Sequence, residues 1–276
     1  MIAVNKFNSM KFFLKSIIPP ILLTLYRRIK NPEDGWVGKY KTWSEAKKNS
    51  TGYDDKIIIS KVRESMKAVK LGLAEYERDS VLFHDAEYNW PLITSLLFSY
   101  SKKNYLSIID FGGSLGSTYY QNKKYLSNLN NFKWGIVEQH SFFDTGKLEF
   151  ENNNLRFYDS IEQCNIAIEP NTLLLSGVLQ YIEEPYVLLK KLLSHSYDTI
   201  ILDRTPFVLG DEYITIQHVS PKIYNASYPC WFFNKQKMLN YFHSNKYELL
   251  NEFETVDGVT SQYEFKGLIF IKKIIK

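Results

Sequence analysis

The stretch that decides the fold is Ser107-Ile-Ile-Asp-Phe-Gly-Gly-Ser-Leu-Gly116. It begins as a short apolar run that ends in an acid, Asp110, and a glycine turn follows. A helix comes next, which Ser117 or Thr118 can cap. A second apolar run, Trp134-Gly-Ile-Val-Glu138, then ends in a second acid. This succession of strand, turn, helix and strand predicts a nucleoside-binding βαβ unit.

The spacing of the glycines argues against a dinucleotide ligand. The G-x-G-x-x-G fingerprint needs glycine at its first, third and sixth positions. Counted from Gly112, the third position is Ser114 and the sixth is Ser117, so the chain does not match. It matches acidic-x-Gly-x-x-x-Gly instead, with Asp110, Gly112 and Gly116.

That spacing resembles the first motif of class I methyltransferases, which use S-adenosylmethionine (SAM). Ser114 stands in place of the usual middle glycine. The resemblance implies that Asp110 orients the amino-acid end of SAM and that Glu138 accepts hydrogen bonds from the ribose hydroxyls. It implies that the backbone of the turn makes room for the cofactor at Gly112, Gly113, Ser114 and Gly116. A carboxylate at a strand end has two oxygens with which to hold a ribose diol.

Apolar runs alternate with helical patterns through the rest of the chain, which predicts an α/β fold. We expect a Rossmann-like, seven-stranded, mostly parallel sheet with an antiparallel last strand and a helical N-terminal extension. Glycines interrupt residues 31–55, so that segment is interpreted as a loop-rich connector. The strands are predicted near residues 105–111, 133–138, 154–158, 171–176, 198–203, 247–255 and 265–274.

Two regions of the chain follow from this pattern. Residues 1–100 are expected to form a basic and apolar N-terminal segment followed by a helical cap. Residues 101–276 are expected to form the SAM-binding domain, with an insertion at 204–233.

Polar residues after the third and fourth strands are further candidates for the cofactor pocket. Ligands of open α/β sheets lie at the carboxyl ends of the strands, where Ser176, Gln180 and Tyr181 are expected. Ser176 and Gln180 are assigned to the cofactor and Tyr181 to the substrate, although simple packing explains Tyr181 equally well. In similar small-molecule methyltransferases a histidine often stands where Gln180 is. Asp159 resembles the acid that accepts a bond from the adenine amino group, and helix capping by Asp159 or Ser160 is the alternative.

Charged residues at the end of the fifth strand are candidates for the methyl-acceptor side. Asp203 is a candidate base, and Arg204 is a candidate clamp for an anionic group. A mutual ion pair between Asp203 and Arg204 is the structural alternative. Arg78 lies in a charged segment interpreted either as a lid that contacts the acceptor or as a solvated helix end.

The insertion is rich in aromatic and amide groups, a composition that suits stacking on and hydrogen bonding to sugar rings. Gln217 and Trp231 are its candidate substrate residues. If the acceptor is a hydroxyl, a base must take its proton, and imidazole has a suitable pKa. His218 is the first candidate for that base, and a purely structural histidine is the alternative.

Composition sets broad limits on function. The 276 residues carry a formal net charge of +4, and the lysines are scattered, so no nucleic-acid-binding stripe is visible. Two distant cysteines and no carboxylate–histidine cluster suggest a reducing cytosol and no metal. Residues 6–30 combine basic side chains with an apolar stretch too short to span a membrane. They indicate either an anionic membrane contact or a helix packed on the protein itself.

Several segments together resemble a family of class I methyltransferases, mostly bacterial and often encoded among surface-polysaccharide genes. The resemblance implies a Rossmann-like SAM fold and a saccharide or glycolipid acceptor. It covers nearly the whole chain from about residue 35, in the segments Gly38–Ala46, Gly52-Tyr53, Glu77–Asp79, Asp110–Ser117, Asp203–Pro206, Tyr228–Trp231 and Phe265–Gly267.

The sequence therefore predicts a SAM-dependent methyltransferase that O-methylates a sugar in surface-polysaccharide or glycolipid synthesis. Its expected partners are a saccharide or lipid-linked glycan and an anionic membrane surface, and its expected place is the cytoplasm, peripheral on the inner membrane face. Methylation of a nitrogen or a carboxylate is one alternative. A non-catalytic SAM-binding scaffold for glycan enzymes is another. A glycosyltransferase is disfavoured because no Asp-x-Asp motif stands at a strand end.

Overall fold

A computed structural model describes residues 35–52, 55–221, 223–259 and 262–273. The predicted membrane contact of residues 6–30 lies outside these ranges. Twelve strands lie in the described ranges: β1 (Gly35–Tyr40), β2 (Tyr76–Arg78), β3 (Val81–Phe83), β4 (Leu106–Phe111), β5 (Phe132–Val137), β6 (Leu155–Tyr158), β7 (Thr172–Ser176), β8 (Thr199–Val208), β9 (Tyr213–His218), β10 (Ser227–Asn234), β11 (Tyr247–Val259) and β12 (Glu264–Lys272).

Eight α-helices lie in the same ranges. They are α1 (Trp43–Lys48), α2 (Asp55–Lys70), α3 (Trp90–Lys103), α4 (Ser117–Leu126), α5 (His140–Glu149), α6 (Ile161–Ile168), α7 (Pro185–Leu193) and α8 (Lys235–Ser244). A short 3₁₀ turn (Leu179–Tyr181) follows β7.

Seven strands form the central sheet in the order β6-β5-β4-β7-β8-β12-β11. The first five run parallel, and β12 pairs antiparallel with β8. The prediction of a Rossmann-like α/β fold with an antiparallel last strand is confirmed. Because β4, β7 and β8 run parallel side by side, their carboxyl ends share one edge of the sheet, at which an open α/β sheet binds its ligands.

Helices cover both faces of this sheet. On one face Leu96 of α3 and Phe142 of α5 pack with Trp134 of β5 in one apolar cluster. On the other face Leu189 of α7 and Phe242 of α8 belong to a second cluster. Such two-sided burial explains why the parallel strands are continuous apolar runs rather than alternating ones. The two cysteines, Cys164 and Cys230, are buried free thiols.

The insertion and the segment interpreted as a loop-rich connector form strands instead. Strand β10 pairs antiparallel with β9, and β9 pairs antiparallel with β1, which extends the sheet beyond β8. The connector interpretation was wrong for 35–40 because a non-local partner decides that strand. Trp36 packs its ring 5.2 Å from that of Phe265. Gly35 and Gly38 have positive φ, and Gly38 lies within a register shift between Val37 and Tyr40, which hides the strand pattern.

Candidate cofactor and acceptor site

The glycine turn after β4 approaches its neighbours so closely that no larger residue fits. Gly112 has a φ of +72°, and its N–H donates to the Val137 carbonyl oxygen at 2.9 Å. A Cβ on Gly112 would lie 2.3 Å from Cγ2 of Val178. The turn therefore presents bare backbone at the sheet edge, as close approach of a ligand requires.

Asp110 supports this turn from within the sheet. Its carboxylate is 1% exposed and accepts a hydrogen bond from Nε1 of Trp134 at 3.0 Å. A Cβ on Gly113 would lie 2.5 Å from Oδ2 of Asp110, so the carboxylate lies directly against the turn. Burial raises the pKa of Asp110 to about 7, the Trp134 bond opposes this, and the charges of Glu138 and Asp203 raise it further.

Glu138 is held in place by two backbone N–H groups. Its Oε1 accepts from the N–H of Ser114 at 3.0 Å, and its Oε2 accepts from the N–H of Gln139 at 2.9 Å. The bare turn together with this fixed carboxylate fits a ribose diol and the SAM that carries it, as the resemblance implies.

The start of α4 differs from the prediction that Ser117 or Thr118 caps it. Gly116, with a φ of +96°, occupies the N-cap position, and no side chain caps the helix. Ser117 is the first helical residue, and its hydroxyl donates to Oε1 of Glu77 instead. Glu77 is 4% exposed and also accepts from the N–H of Ser80 at 3.0 Å. This contact joins the β2–β3 hairpin to the glycine turn.

The acid after β6 is exposed to solvent. Asp159 follows the last residue of that strand. The neighbouring Ser160 is the N-cap of α6 and accepts from the N–H of Gln163 at 3.3 Å. The capping alternative therefore holds for Ser160, and the adenine contact of Asp159 stays a prediction.

Asp203 lies buried in the middle of β8 (Thr199–Val208), beside the carboxyl end of β7. It is 2% exposed, and β-pairing sets it opposite Ser176. The Ser176 hydroxyl donates to Oδ2 of Asp203 at 2.8 Å, and Nδ2 of Asn89 lies 3.3 Å from its Oδ1. Burial raises the pKa of Asp203, and the Ser176 bond and the Arg204 charge work against that rise. A buried carboxyl whose pKa is raised toward neutrality suits a general base.

Arg204 forms its ion pairs with distant residues and not with its neighbour Asp203. Its guanidinium donates to Asp79 at 2.7 Å and to Asp257 at 2.8 and 3.1 Å. The alternative of a mutual Asp203–Arg204 ion pair is therefore wrong. Arg204 has a φ of +52°, so the chain turns here and the two side chains serve different partners. The pKa of Arg204 is raised well above its usual value, since the charges of Asp79 and Asp257 outweigh the effect of burial. Arg204 thus connects the β2–β3 hairpin to β11.

Gln180 and Tyr181 follow β7 at the same edge. Nε2 of Gln180 donates to the Arg204 carbonyl oxygen at 3.2 Å, whereas its Oε1 is buried without a partner among the described residues. The Tyr181 hydroxyl donates to Oε1 of Gln217 at 2.5 Å, and its ring packs edge-on against Tyr228 at 5.3 Å. Tyr181 and Gln217 are thus brought together near the carboxyl ends of β7 and β8.

His218 is not brought to this cluster. Successive side chains of a strand point to opposite faces, and Gln217 of β9 points to Tyr181. The side chain of His218 therefore projects from the other face of β9. The geometry favours Asp203 over His218 as the candidate base.

Two further candidates contact aromatic rings. Trp231 lies between Trp43 at 6.4 Å and Phe233 at 6.3 Å, with near-parallel rings, and its Nε1 donates to the Glu183 carbonyl oxygen. These contacts favour a packing role for Trp231. The Arg78 guanidinium lies 5.0 Å from the centre of the Phe83 ring within the β2–β3 hairpin. The helix-end alternative for this charged segment is wrong, because residues 76–83 form a hairpin.

Two other kinds of site are absent from the described ranges. No cluster of three or more His, Cys, Asp or Glu side chains able to hold a metal ion occurs there. In the same ranges, no helix combines the length and the apolar character that crossing a membrane requires.

Sequence reasoning missed Asn89 and Asp257, and it grouped Glu77 only with a charged segment. Each meets its partner across a long sequence separation, so no local pattern marks it. Asn89 carries one usable signal, since it directly precedes Trp90-Pro91 and caps α3 by accepting from the N–H of Leu92.

Comparison with known proteins gives structural likeness only. No protein-family model and no curated protein matches the sequence. The N-terminal domain of EvdMO1, crystallised with S-adenosylhomocysteine (SAH) and D-fucose, is similar at 13% identity, with 79% of this chain and 98% of that one covered and a TM-score of 0.48. Magnesium protoporphyrin IX methyltransferase from Synechocystis PCC 6803 with bound SAM is similar at 12% identity, with 81% and 99% covered and a TM-score of 0.43.

A SAM-dependent methyltransferase from Clostridium acetobutylicum ATCC 824 is similar at 10% identity. The likeness covers 68% of this chain and 93% of that one, with a TM-score of 0.45.

Proposed function

We propose that this chain is a SAM-dependent methyltransferase and that its methyl acceptor is a saccharide hydroxyl. One observation carries the proposal. A glycine turn flanked by Glu138 and the buried carboxylate of Asp203 lie at the same edge of the sheet. The pKa of Asp110 responds to both Glu138 and Asp203, so these groups lie close enough to interact electrostatically.

SAM supplies a methyl group on a sulfonium, which leaves by in-line displacement. The protein positions the acceptor, excludes water and removes a proton. Asp203 takes the proton of the acceptor hydroxyl at a carboxylate oxygen. Ser176 and Asn89 hold that carboxylate in one orientation, and its raised pKa matches it better to proton transfer near neutral pH.

An exposed group of aromatic rings beside Asn89 supports a sugar as the acceptor. Tyr88 and Trp90 flank Asn89 in the chain, and Tyr125 lies 4.9 Å from Tyr88 and 5.2 Å from Trp90. Trp90 is 54% exposed. Such rings combine a flat apolar face with a polar edge, which suits the C–H face of a sugar ring. Asn89, which lies between Tyr88 and Trp90 in the chain, itself reaches Asp203 and so links the aromatic group to the candidate base.

The first test is calorimetric titration with SAM and, separately, with NAD. Binding of SAM in the micromolar range, weakened by Asp110→Ala and Glu138→Ala, with no binding of NAD, is expected. Absence of SAM binding by the folded wild-type protein would refute the proposal and favour a scaffold role without SAM.

The second test asks whether Asp203, His218 or no residue acts as the general base. Radiolabelled methyl transfer from SAM to surface-glycan fractions is measured for Asp203→Asn, with His218→Ala as the matched control. Asp203→Asn is expected to lower turnover by about 10²- to 10⁴-fold, the usual contribution of a general base, with SAM affinity retained. Loss of turnover in His218→Ala alone would assign the base to His218. Full turnover in both variants would favour a carboxylate acceptor, which needs no base.

The proposal also includes the place in the cell at which the enzyme meets its methyl acceptor. A lipid-linked glycan on the inner face of a membrane is the acceptor, and the basic residues of 6–30 hold the cytoplasmic enzyme near it. This part is supported by the sequence pattern of basic residues around a short apolar stretch.

A further inference from the structure

Glu77 is a buried carboxylate between the N-terminal cap and the glycine turn. It belongs to β2 and is 4% exposed. Its two oxygens accept from the Ser117 hydroxyl and from the N–H of Ser80. An ionised carboxylate has about four acceptor sites, so about two remain after these bonds.

No basic side chain neutralises Glu77 in the part of the chain that the structure describes. Arg204, whose positive charge acts on Glu77, is ion-paired with Asp79 and Asp257. Burial raises the pKa of Glu77 to about 7, and its hydrogen bonds only partly offset this effect. Because an ionised carboxylate is costly to bury without a cation, a cationic ligand at this place would be stabilised.

The position of Glu77 relates this charge to the cofactor edge. Its hydrogen bond to Ser117 fixes it at the first residue after the glycine turn of β4. Arg204 of β8 is ion-paired with Asp79 in the turn of the same hairpin, so the hairpin that carries Glu77 also lies against β8 beside Asp203. Glu77 therefore lies over the edge at which parallel α/β sheets bind their ligands.

We propose that Glu77 is a cofactor-binding residue whose carboxylate receives the α-ammonium group of SAM. The inference rests on the proposed function, because it requires SAM at this edge. SAM has two cationic centres, and the α-ammonium is the one with N–H donors to fill the remaining acceptor sites of Glu77. Asp110 lies against Gly113 on the side of the turn that faces the sheet. Glu77 approaches the turn from the β2–β3 hairpin and would contact the ligand from there.

Calorimetric titration of the full chain with three probes tests the proposal. SAM and SAH both carry the α-ammonium, whereas 5′-methylthioadenosine keeps the nucleoside and thioether but lacks the amino-acid group. Glu77→Gln is expected to weaken the binding of SAM and of SAH by about ten- to a hundredfold, the range for loss of one hydrogen bond to a charged group. The affinity for 5′-methylthioadenosine is expected to stay unchanged.

Glu87→Gln is the matched control, because Glu87 is an exposed carboxylate of the same cap that accepts from the Tyr76 hydroxyl. It is expected to bind all three probes as the wild type does. Thermal unfolding checks that each variant is folded. If Glu77→Gln does not fold, Glu77→Asp, which retains the charge but withdraws it by one methylene, is expected to give the same pattern.

Equal weakening of all three probes would overturn the proposal and leave Glu77 a structural support of the turn. Weaker binding of SAM alone would overturn the proposal in favour of a contact between Glu77 and the sulfonium. Unchanged binding of all three probes would show that Glu77 does not belong to the site. If the wild type binds SAM but the Glu77 variants do so equally well, only this inference fails. If the wild type binds none of the probes, the proposed function fails and the inference fails with it.

Discussion

Replacement of Gly112 by alanine is expected to damage the glycine turn through two separable effects. The first is conformational: a φ of +72° costs an L side chain about 1–2 kcal/mol. The second is steric: the new Cβ would lie 2.3 Å from Cγ2 and 2.9 Å from Cβ of Val178, and such overpacking costs about 1–3 kcal/mol. The free energy of unfolding should therefore fall by about 2–5 kcal/mol.

Urea denaturation measures this loss, and a double variant separates its two parts. Adding Val178→Ala to Gly112→Ala removes the 2.3 Å contact with Cγ2, which is most of the steric part, and leaves the 2.9 Å contact with Cβ and the conformational part. The two substitutions should then couple favourably, by about 1–3 kcal/mol. Gly210→Ala is the matched control, because nothing lies within 4 Å of its added Cβ and its φ is outside the left-handed range. It should change stability by less than about 0.5 kcal/mol.

Two outcomes would refute this reasoning. A Gly112→Ala protein as stable as the Gly210→Ala control would show that the turn has room for a side chain. Additive effects of Gly112→Ala and Val178→Ala would show that the two groups do not collide. In either case the turn would be packed less tightly than its contacts indicate. The argument that it must offer a ligand backbone without side chains would then lose its support.

Three other measurements test separate features of the site. Asp110 and Glu77 keep their protons up to about pH 7 in the native state but lose them near pH 4 when unfolded, so stability should fall as pH rises from about 4 to about 7; Glu77→Gln should flatten this slope in urea titrations, and an unchanged slope would contradict it. Arg204→Ala should lower the free energy of unfolding by about 1–2 kcal/mol, because it leaves Asp79 and Asp257 unneutralised at a partly exposed site; Lys103→Ala, which breaks a peripheral pair with Asp198, is the control and should cost less than half as much. Replacing the basic residues of 6–30 by glutamine should abolish co-sedimentation with anionic vesicles and leave the result with neutral vesicles unchanged, whereas retained binding to anionic vesicles would show that these residues do not make the membrane contact.

The features that the sequence predicts correctly are those that depend on neighbouring residues. The strand before the turn carries Asp110 as its next-to-last residue, because buried parallel strands are apolar until they reach the ligand edge. The turn needs Gly112 since its φ is positive, and the strand that ends before Glu138 has the same apolar signature. Each of these signals lies within about ten residues, so the pattern and the structure agree.

The features that sequence reasoning could not reach depend on distant partners. Asn89 meets Asp203 across 114 positions, and Glu77 meets Ser117 across 40. Ser117 seemed suited to capping, yet Gly116 turns the chain so that the hydroxyl faces Glu77 instead. A local pattern states what a residue can do, but the tertiary partner decides which of those possibilities is realised.

The residues that converge at the sheet edge are mostly acidic. Glu77, Asp110, Glu138 and Asp203 contribute four carboxyl groups, while Arg204 is ion-paired with two others. The pKa of Asp110 is raised partly by Glu138 and Asp203, so the carboxylates destabilise one another in the absence of a ligand. Strongly perturbed carboxyls concentrate at functional sites because function, not stability, requires them. In the proposed reaction, a cofactor with an ammonium and a sulfonium relieves this repulsion. Since methyl transfer removes the sulfonium charge, part of the repulsion returns with the product and favours its release.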